Sequence, residues 1–278
     1  MTRTVLDGRY ELGQGLGRGG FGQVHEARNL LTGRRVAIKV MAVAPSASPD
    51  ESRARFVLEA RAAAALEHQN VVQVLDFGFA DSELFLVMER LDGESLAGRL
   101  EREGRLVPAE VCSLLVPILN ALGYAHEQGI VHRDLKPENI VLAEIKGAPT
   151  VVPKLVDFGV AQWRSEGFDL TRTGEVIGTP HYLAPEQAIE SRSVDHRADI
   201  YSIGVIIYEA LSGELPFPQE KITDLMLALA TEDPPPIHAH DPTLPAPFGE
   251  LLERCLAKDP NRRFASVAEL RAALESAI

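Results

Sequence analysis

The sequence predicts an α+β fold with two lobes, a small lobe of antiparallel sheet with one main helix and a larger, mostly helical lobe. Two patterns lead to this fold class. Residues 10–40 alternate short β-branched runs with glycine-rich turns, which is typical of an antiparallel meander. Beyond Asp92-Gly93 the apolar residues recur at helical spacing. We expect one domain over residues 1–278, with the small lobe at about 10–91 and the large lobe at about 92–278.

The small lobe is expected to contain one helix and two further strands. Residues 44–52 are rich in Pro and Ser and predict a loop. A helix is expected to begin at Asp50 and to run to about Glu67, because acidic residues are favourable in a first helical turn. Apolar runs at Val71–Gly78 and Leu84–Glu89 predict the strands.

The large lobe is expected to consist mainly of helices. Pro108–Gln128 carries apolar residues at helical spacing, and Asp199–Leu211 is apolar on nearly all sides, which predicts a buried helix. Prolines crowd residues 216–247 and predict loops around one short helix at Lys221–Thr231. The last helix is expected to follow Ser266, because Ser is a favourable N-cap when Glu stands three residues further on.

The charge balance limits the classes of partner. The chain has 278 residues, with 40 acidic residues against 28 Lys and Arg, and a net charge of −12. This excess of acid argues against nucleic acid or an anionic membrane as a partner and mildly favours basic peptides. The alternative, that the acidic residues only keep the protein soluble, is the more common situation.

Cysteine usage and hydropathy indicate a cytoplasmic protein. Cys112 and Cys255 lie far apart in apolar helical patterns, which indicates buried thiols, since a disulfide framework or a zinc site needs more thiols or nearby histidines. Met1–Tyr10 has no apolar signal core. The longest apolar stretch, Ile203–Leu211, is too short to cross a bilayer, so we expect no membrane segment in this chain.

Five short motifs follow one another in a fixed order. They are Gly17-Arg18-Gly19-Gly20-Phe21-Gly22, Val36-Ala37-Ile38-Lys39, His132-Arg133-Asp134, Asp157-Phe158-Gly159 and Ala184-Pro185-Glu186. In the first motif, Gly17, Gly19 and Gly22 would let the backbone of a hairpin lie directly on phosphates. A dinucleotide-binding loop is the alternative, but the chain continues after Gly22 as a strand and not as a helix. No Gly-Lys-Ser/Thr ends the motif as it would in a Walker loop.

Lys39 and Glu59 are a predicted ion pair. Glu59 shares the apolar face of its helix with Phe56 and Leu66, and a buried acid needs a cationic partner. Lys39, at the end of an apolar strand, is the natural partner. The alternative leaves Lys39 solvated at the strand end and Glu59 in contact with water.

These motifs resemble those of the eukaryotic-like Ser/Thr protein kinase family of bacterial type, and the resemblance extends from about Arg9 to the last helix. The most specific match is the run His132-Arg133-Asp134-Leu135-Lys136-Pro137-Glu138-Asn139. An Asp-Phe-Gly sequence alone is common as a simple turn, but here it follows this run. The resemblance implies a two-lobed protein-kinase fold.

The resemblance also implies the roles of the catalytic residues. Asp134 would be the catalytic base that accepts the proton of the substrate hydroxyl. Lys136 would neutralise charge on the migrating phosphoryl group. Thr179 would hydrogen-bond with Asp134 and Lys136. Asn139 and Asp157 would bind Mg²⁺, with Mn²⁺ as an alternative ion, because hard cations prefer oxygen ligands.

An ATP site between the lobes is a further implication. Lys39, aimed by Glu59, would hold the α- and β-phosphates, and backbone groups of Glu89 and Leu91 would bind the adenine edge. Ordinary core packing is the alternative explanation for the apolar members of this set. The residues expected at the nucleotide are Leu16, Gly17, Gly19, Gly22, Val24, Ala37, Lys39, Glu59, Met88, Glu89, Leu91 and Val141.

Two other positions are expected to hold the shape of the large lobe. The family pattern implies an ion pair between Glu186 and Arg263. It also implies that Asp199 accepts hydrogen bonds from the backbone of the loop that carries Asp134.

A regulatory site is expected between Asp157 and Glu186. Thr171 and Thr173 lie in a stretch that resembles the autophosphorylated segment of bacterial kinases. A phosphate on either threonine could form charge-assisted hydrogen bonds to Arg133 and order the loop. The alternative is that both are plain polar loop residues.

The expected function is phosphorylation of Ser or Thr hydroxyls on proteins by Mg-ATP. The protein is also expected to phosphorylate its own loop, and a homodimer is the state in which this autophosphorylation would occur. A pseudokinase that only senses nucleotide is one alternative, and the presence of Lys39, Asp134, Asn139 and Asp157 weighs against it. A small-molecule phosphotransferase is another, but such enzymes lack the Ala184-Pro185-Glu186 segment found here.

Overall fold

The computed structural model describes residues 4–19, 22–42, 49–80, 83–145, 147, 150–158, 180–189 and 194–278. Internal contacts divide the chain into two compact units, Met1–Asp92 and Gly93–Ile278. The first unit is mainly antiparallel sheet with one helix, and the second is mainly helical. These are the element types that the sequence predicts for the two parts of the chain.

The first unit is a six-stranded antiparallel sheet in the order β1-β2-β3-β4-β6-β5. Its strands are β1 (Val5–Leu6), β2 (Tyr10–Gly19), β3 (Gly22–Asn29), β4 (Arg35–Ala42), β5 (Val74–Ala80) and β6 (Glu83–Glu89), and its helix is α1 (Pro49–Ala64). The short β1 was not predicted, and α1 ends three residues before the predicted Glu67. The core cluster on one face of this sheet consists of Leu6, Tyr10, Ala27, Val36, Ile38, Phe85 and Val87.

The second unit contains seven helices and a small sheet within the described residues. The strands are β7 (Gly93–Ser95), β8 (Ile140–Glu144) and β9 (Val151–Leu155), which pair in that order. The helices are α2 (Leu96–Glu103), α3 (Pro108–Glu127), α4 (Pro185–Ile189), α5 (Arg197–Ser212), α6 (Ile222–Thr231), α7 (Pro247–Cys255) and α8 (Val267–Glu275). Single 3₁₀ turns lie at Pro137–Asn139, Pro180–Tyr182, Ile237–Ala239 and Pro260–Arg262.

The predicted buried helix is confirmed in α5. Its residues from Ala198 to Leu211 are all buried except Glu209. The predicted start of the last helix is also confirmed, because the Ser266 hydroxyl accepts a hydrogen bond from the backbone N–H of Glu269 at 3.3 Å. Three helices, α2, α4 and α7, were not predicted individually. Two of them begin at a proline, which is tolerated in a first helical turn because that N–H has no partner there.

Both thiols are buried and free, as predicted. Burial raises the pKa of Cys112 to about 11, so this thiol is protonated and unreactive at neutral pH.

Among the described residues, α3 is the one helix whose length and composition would allow it to cross a membrane, and half of its most apolar window is buried inside the fold. Nine of its residues are buried, and α3 contacts α8 and β9. This is the burial of a core helix.

Candidate active site

The predicted nucleotide residues of the first unit share one face of its sheet. In the pairing of β3, β4 and β6, Lys39 lies opposite both Val24 and Leu86, and Ala37 lies opposite both Glu26 and Met88. Residues directly opposite in antiparallel strands, and residues two apart along a strand, project from the same face. Val24, Ala37, Lys39 and Met88 therefore lie together, on the face opposite the core cluster that contains Val36 and Ile38.

Lys39 and Glu59 are both buried, although both have ionisable side chains. Their exposed fractions are 4% and 8%, and they lie on β4 and α1 of the same unit. A buried charge costs several kcal/mol unless an opposite charge or hydrogen bonds compensate it. Burial therefore argues against the alternative in which both side chains reach water, while the ion pair between them stays a prediction.

The glycine hairpin is formed by β2 and β3, in which Gly17 lies opposite Val24 and Gly19 opposite Gly22. A Cβ added at Gly17 would meet no atom of the described residues within 4 Å, so this glycine faces open space among them. At Gly22 the reason for glycine is different. Its φ is +148°, and a Cβ there would lie 2.1 Å from the backbone oxygen of Val40. The fold therefore requires glycine at position 22 whether or not a ligand is bound.

Met88 and Glu89 end β6, and Leu91 follows at the edge of the first unit. The N–H of Glu89 donates to the carbonyl of Gln73 at 2.9 Å, and the Glu89 carboxylate accepts from the N–H of Gln73 at 2.9 Å. In a hydrogen bond between Glu89 and a base edge, the carbonyl oxygen of Glu89 would therefore be the acceptor. Leu16 is 44% exposed at the glycine hairpin.

In the second unit, Asp199 holds the backbone of the loop that precedes Asp134. This carboxylate is fully buried and accepts hydrogen bonds from the N–H groups of His132 at 2.9 Å and Arg133 at 2.8 Å, as predicted. It also bonds the Nε2 of His126 at 2.8 Å. Burial alone would raise the pKa of Asp199, but the bonds and charge of His126, with those of His132, hold that pKa below its usual value.

The side chains of the loop converge on Asp134. Lys136 donates from Nζ to Asp134 Oδ2 at 3.1 Å, and Asn139 donates from Nδ2 to the Asp134 carbonyl at 2.7 Å. A carbonyl oxygen can only accept, so the amide nitrogen of Asn139 must face it. The amide oxygen of Asn139 is thereby directed away from Asp134.

The pairing of β8 with β9 brings Asp157 beside this loop. The N–H of Val156 donates to the carbonyl of Asn139 at 3.0 Å, and Asp157 is the next residue. The buried His132 bonds the Val156 carbonyl through Nε2 at 3.0 Å, and its ring lies 4.7 Å from that of Phe158. His132 therefore joins the two segments from the core side.

Two residues of this site adopt left-handed backbone conformations. Arg133 and Asp157 both have φ of +64°, a region that residues with a Cβ seldom occupy. Such strain costs about 1–3 kcal/mol per residue and is typical of functional sites.

The oxygen donors of Asn139 and Asp157 suit a magnesium ion bound together with a nucleotide. Within the described ranges, no group of three or more His, Cys, Asp or Glu side chains is placed to hold a metal ion by itself. Mg²⁺ commonly keeps several waters and takes only one or two protein ligands beside substrate phosphates. A two-ligand site therefore fits Mg²⁺, whereas zinc or calcium would call for more protein ligands.

Several predicted residues lie outside the described ranges. They are Gly20, Phe21, Gly159, Thr171, Thr173 and Thr179, together with residues 44–48 of the predicted loop. Val141 is half-buried on β8 in the second unit. The sequence-based prediction also missed two residues of the second unit, His126 and Gln187. The signal for Gln187 was its place three residues after Ala184 in a Pro-Glu-Gln run, which is the position of a helix-capping Gln.

Known proteins match the chain over almost its whole length. The family model described as "Protein kinase domain" matches residues 10–274. The chain is 40% identical over 275 residues to the serine/threonine-protein kinase Pkn1 of Myxococcus xanthus, covering 99% of this chain and 39% of that protein. It is 39% identical over 278 residues to PknB of Mycobacterium tuberculosis, covering 98% and 43%. The chain thus spans about two fifths of the length of these relatives.

A solved structure also resembles the chain. The kinase domain of Mycobacterium tuberculosis PknI, crystallised as a point mutant, superposes with a TM-score of 0.77 and 28% sequence identity. The match covers 99% of this chain and 98% of that one.

Proposed function

This chain belongs to the protein kinase family, among the eukaryotic-like Ser/Thr kinases of bacterial type, and on that premise we propose that it transfers the γ-phosphoryl group of ATP to Ser or Thr hydroxyls of proteins. One observation carries the proposal. Asp134, Lys136 and Asn139 are bonded to one another, and the strand that leads to Asp157 is hydrogen-bonded to Asn139. This is the group of side chains that phosphoryl transfer to a hydroxyl requires.

Asp134 acts as the base in the proposed reaction. The substrate oxygen forms a bond to the γ-phosphorus while the bond from that phosphorus to the bridging oxygen of ADP breaks, and the hydroxyl proton passes to the Asp134 carboxylate. Lys136, 3.1 Å from Asp134, offsets negative charge on the phosphoryl group as it moves. Thr179 is proposed to hydrogen-bond with Asp134 and Lys136.

The sheet face of the first unit that lies opposite the core cluster is proposed to bind the nucleotide. Val24, Ala37 and Met88 would contact the adenine, and Lys39, with Glu59 as its counter-ion, would contact the phosphates. Asn139 and Asp157 would hold Mg²⁺, or Mn²⁺ in its place, and the ion would neutralise phosphate charge when bound. Convergence of the two sets of residues around one ATP is part of this proposal.

We also propose regulation by autophosphorylation at Thr171 or Thr173. The side chain of Arg133 supports this proposal. Its Nε is buried without a hydrogen-bond partner among the described residues, and its Nη2 lies 3.5 Å from the Val194 carbonyl. A phosphate would satisfy this guanidinium with charge-assisted bonds. Replacement of both threonines by Ala should abolish activation by preincubation with ATP. A homodimer for autophosphorylation and a cytoplasmic location are also proposed.

The test is incubation of the pure protein with labelled ATP, Mg²⁺ and a Ser/Thr peptide library, followed by mapping of the phosphorylated residues. Asp134→Asn should lower the rate by about 10²–10⁴-fold, because it removes the base. Equal labelling by both proteins would trace the signal to a contaminant. Nucleotide binding without transfer by the wild type would favour a nucleotide-sensing pseudokinase.

A further inference from the structure

Gln187 joins the loop of Asp134 to the Ala184-Pro185-Glu186 segment through both ends of its side chain. Its Nε2 donates to the carbonyl of Arg133 at 2.8 Å, across a separation of 54 residues. Its Oε1 accepts from the N–H of Ala184 at 3.0 Å. Both distances are those of well-formed hydrogen bonds.

The orientation of this amide follows from its partners. The Arg133 carbonyl can only accept a hydrogen bond, and the Ala184 N–H can only donate one. A flipped amide would place two acceptors together at Arg133 and two donors together at Ala184. The two contacts therefore form as a pair, and neither can be kept after a flip of the amide.

One half of this arrangement has a purely structural explanation. The N–H of Gln187 donates to the Ala184 carbonyl at 2.9 Å, and its side chain returns to the Ala184 N–H. A side-chain acceptor at the third helical position that reaches back to the N-cap N–H is half of a capping box and stabilises the start of α4. The bond to Arg133 is not needed for that cap, since an acceptor such as Glu caps the helix equally well.

The bond to Arg133 acts on the peptide group that leads into Asp134. Arg133 has a left-handed φ of +64°, and its N–H is held by Asp199 at 2.8 Å. The next N–H, that of Asp134, faces Nδ1 of His132 at 3.4 Å. With the carbonyl of Arg133 held by Gln187, the peptide plane before Asp134 is fixed from both edges.

We propose that Gln187 is a positioning residue that sets the orientation of Asp134 relative to the Ala184-Pro185-Glu186 segment. This inference rests on the proposed function, in which Asp134 is the base that meets the substrate hydroxyl. A small rotation of the Arg133–Asp134 peptide plane moves the carboxylate away from the hydroxyl that it must meet. Displacement of a catalytic group by about 1 Å costs as much as 10²-fold in rate.

Two variants separate positioning from capping. Gln187→Met has nearly the same length and loses both hydrogen bonds, whereas Gln187→Glu keeps the acceptor for Ala184 and replaces the donor to Arg133 by a second acceptor. Gln128→Met, at an exposed position after α3, is the control. The measurements are kcat and KM for a Ser/Thr peptide, Kd for Mg-ATP, and amide hydrogen exchange of residues 130–139.

We expect both Gln187 variants to lower kcat by about tenfold, with Kd for Mg-ATP changed by less than about twofold. Exchange of residues 130–139 should become faster in both and stay unchanged in the control. A Gln187→Glu protein with wild-type kcat and wild-type exchange would reduce Gln187 to a helix cap and overturn the inference. If Gln187→Met does not fold, Gln187→Glu decides alone, because its cap is intact.

Failure of the proposed function would look different. A wild-type protein that binds Mg-ATP and transfers no phosphate contradicts that function, whatever the variants do. In that event the exchange of residues 130–139 in Gln187→Glu still decides whether Gln187 holds the loop.

Discussion

Glu186 and Arg263 form a two-pronged ion pair inside the second unit. Nη1 of Arg263 lies 2.6 Å from Oε1 of Glu186, and Nη2 lies 2.8 Å from Oε2. The Arg263 side chain has no exposed surface, and its remaining donors reach the carbonyls of Ala257, Arg197 and Lys258. One buried guanidinium thus ties α4 to the start of α5 and to the segment that follows α7.

Removal of this guanidinium should strongly destabilise the protein. Arg263→Met leaves the Glu186 carboxylate, which is 18% exposed, and three carbonyls without their donor. Breaking a buried pair from one side costs about 3–5 kcal/mol, and the free energy of unfolding in urea should fall by that amount. Arg254→Met, which breaks an exposed pair with Glu269, should cost less than about 1 kcal/mol. Equal losses in the two variants would contradict this prediction.

Gly17 and Gly22 should respond differently to the same substitution. Gly22→Ala places a Cβ against the Val40 carbonyl in a left-handed conformation, so the melting temperature should fall, with a cost of at least about 1–3 kcal/mol. Gly17→Ala meets no neighbour, so the melting temperature should stay near wild type while Kd for Mg-ATP rises. Thermal melts with and without nucleotide provide the measurement. Wild-type stability of Gly22→Ala would show that the strand pair shifts without cost.

The sheet face of the first unit that carries Val24, Ala37, Lys39 and Met88, and that is proposed to bind the nucleotide, also carries charge. Glu26, opposite Ala37 on that face, lies 3.3 Å from Nε of Arg90, and Arg90 also pairs with Asp92. Glu26 and Arg90 are 20% and 16% exposed, so their mutual attraction is only partly screened by water. Arg35 reaches the same carboxylate at 2.7 Å from a more exposed position.

Arg90→Met should therefore weaken nucleotide binding. It leaves the Glu26 carboxylate with less compensating charge beside an anionic ligand and frees the segment that follows Met88. We expect Kd for Mg-ATP to rise by about 5–10-fold, which corresponds to about 1 kcal/mol. Isothermal titration measures this directly, and Arg35→Met should change Kd by less than about twofold because Arg35 is 62% exposed. Identical Kd values for Arg90→Met, Arg35→Met and the wild type would contradict this prediction.

Lys258 should make stability depend on pH in the alkaline range. Its Nζ lies 4.1 Å from the centre of the Phe217 ring and 3.4 Å from the Ala228 carbonyl, and burial lowers its pKa to about 8. Between pH 8 and the ordinary lysine pKa near 10.5, the unfolded chain binds more protons than the folded one. The contribution of Lys258 to the free energy of unfolding therefore increases as pH rises from about 8 to 10.5. It decreases again as pH falls back to about 8.

The Lys258→Met variant tests this slope. Lys258 is only half-buried, so solvent screening limits the contribution to about 1 kcal/mol. Between pH 7.5 and pH 9.5, the wild type should gain about that much unfolding free energy relative to Lys258→Met. Lys221→Met, at an exposed lysine, should follow the wild type. Parallel curves for wild type and Lys258→Met would mean that Lys258 titrates normally.

Elements with strong local signals were predictable from the sequence. The strand–glycine–strand pattern of β2 and β3, the apolar run of α5 and the Ser266 cap all depend on residues within a few positions of one another. Helices α4 and α7 were missed because they have 5 and 9 residues and begin at prolines, which a single sequence cannot distinguish from loop prolines. The structural need for Gly22 was missed as well, because the obstructing atom belongs to Val40 on the neighbouring strand.

The linear order of residues alone determined the chemistry available to this protein. The run from His132 to Asn139 carries a carboxylate, an ammonium group and an amide close together in the chain, and its turn brings them into contact. The family pattern implied Asp199 as one distant group that holds that run in place, but only the folded chain decided that Gln187 is another. Asp199 and Gln187 reach it from 66 and 54 residues away, because hydrogen bonds act over about 3 Å and their partners depend on the path of the backbone.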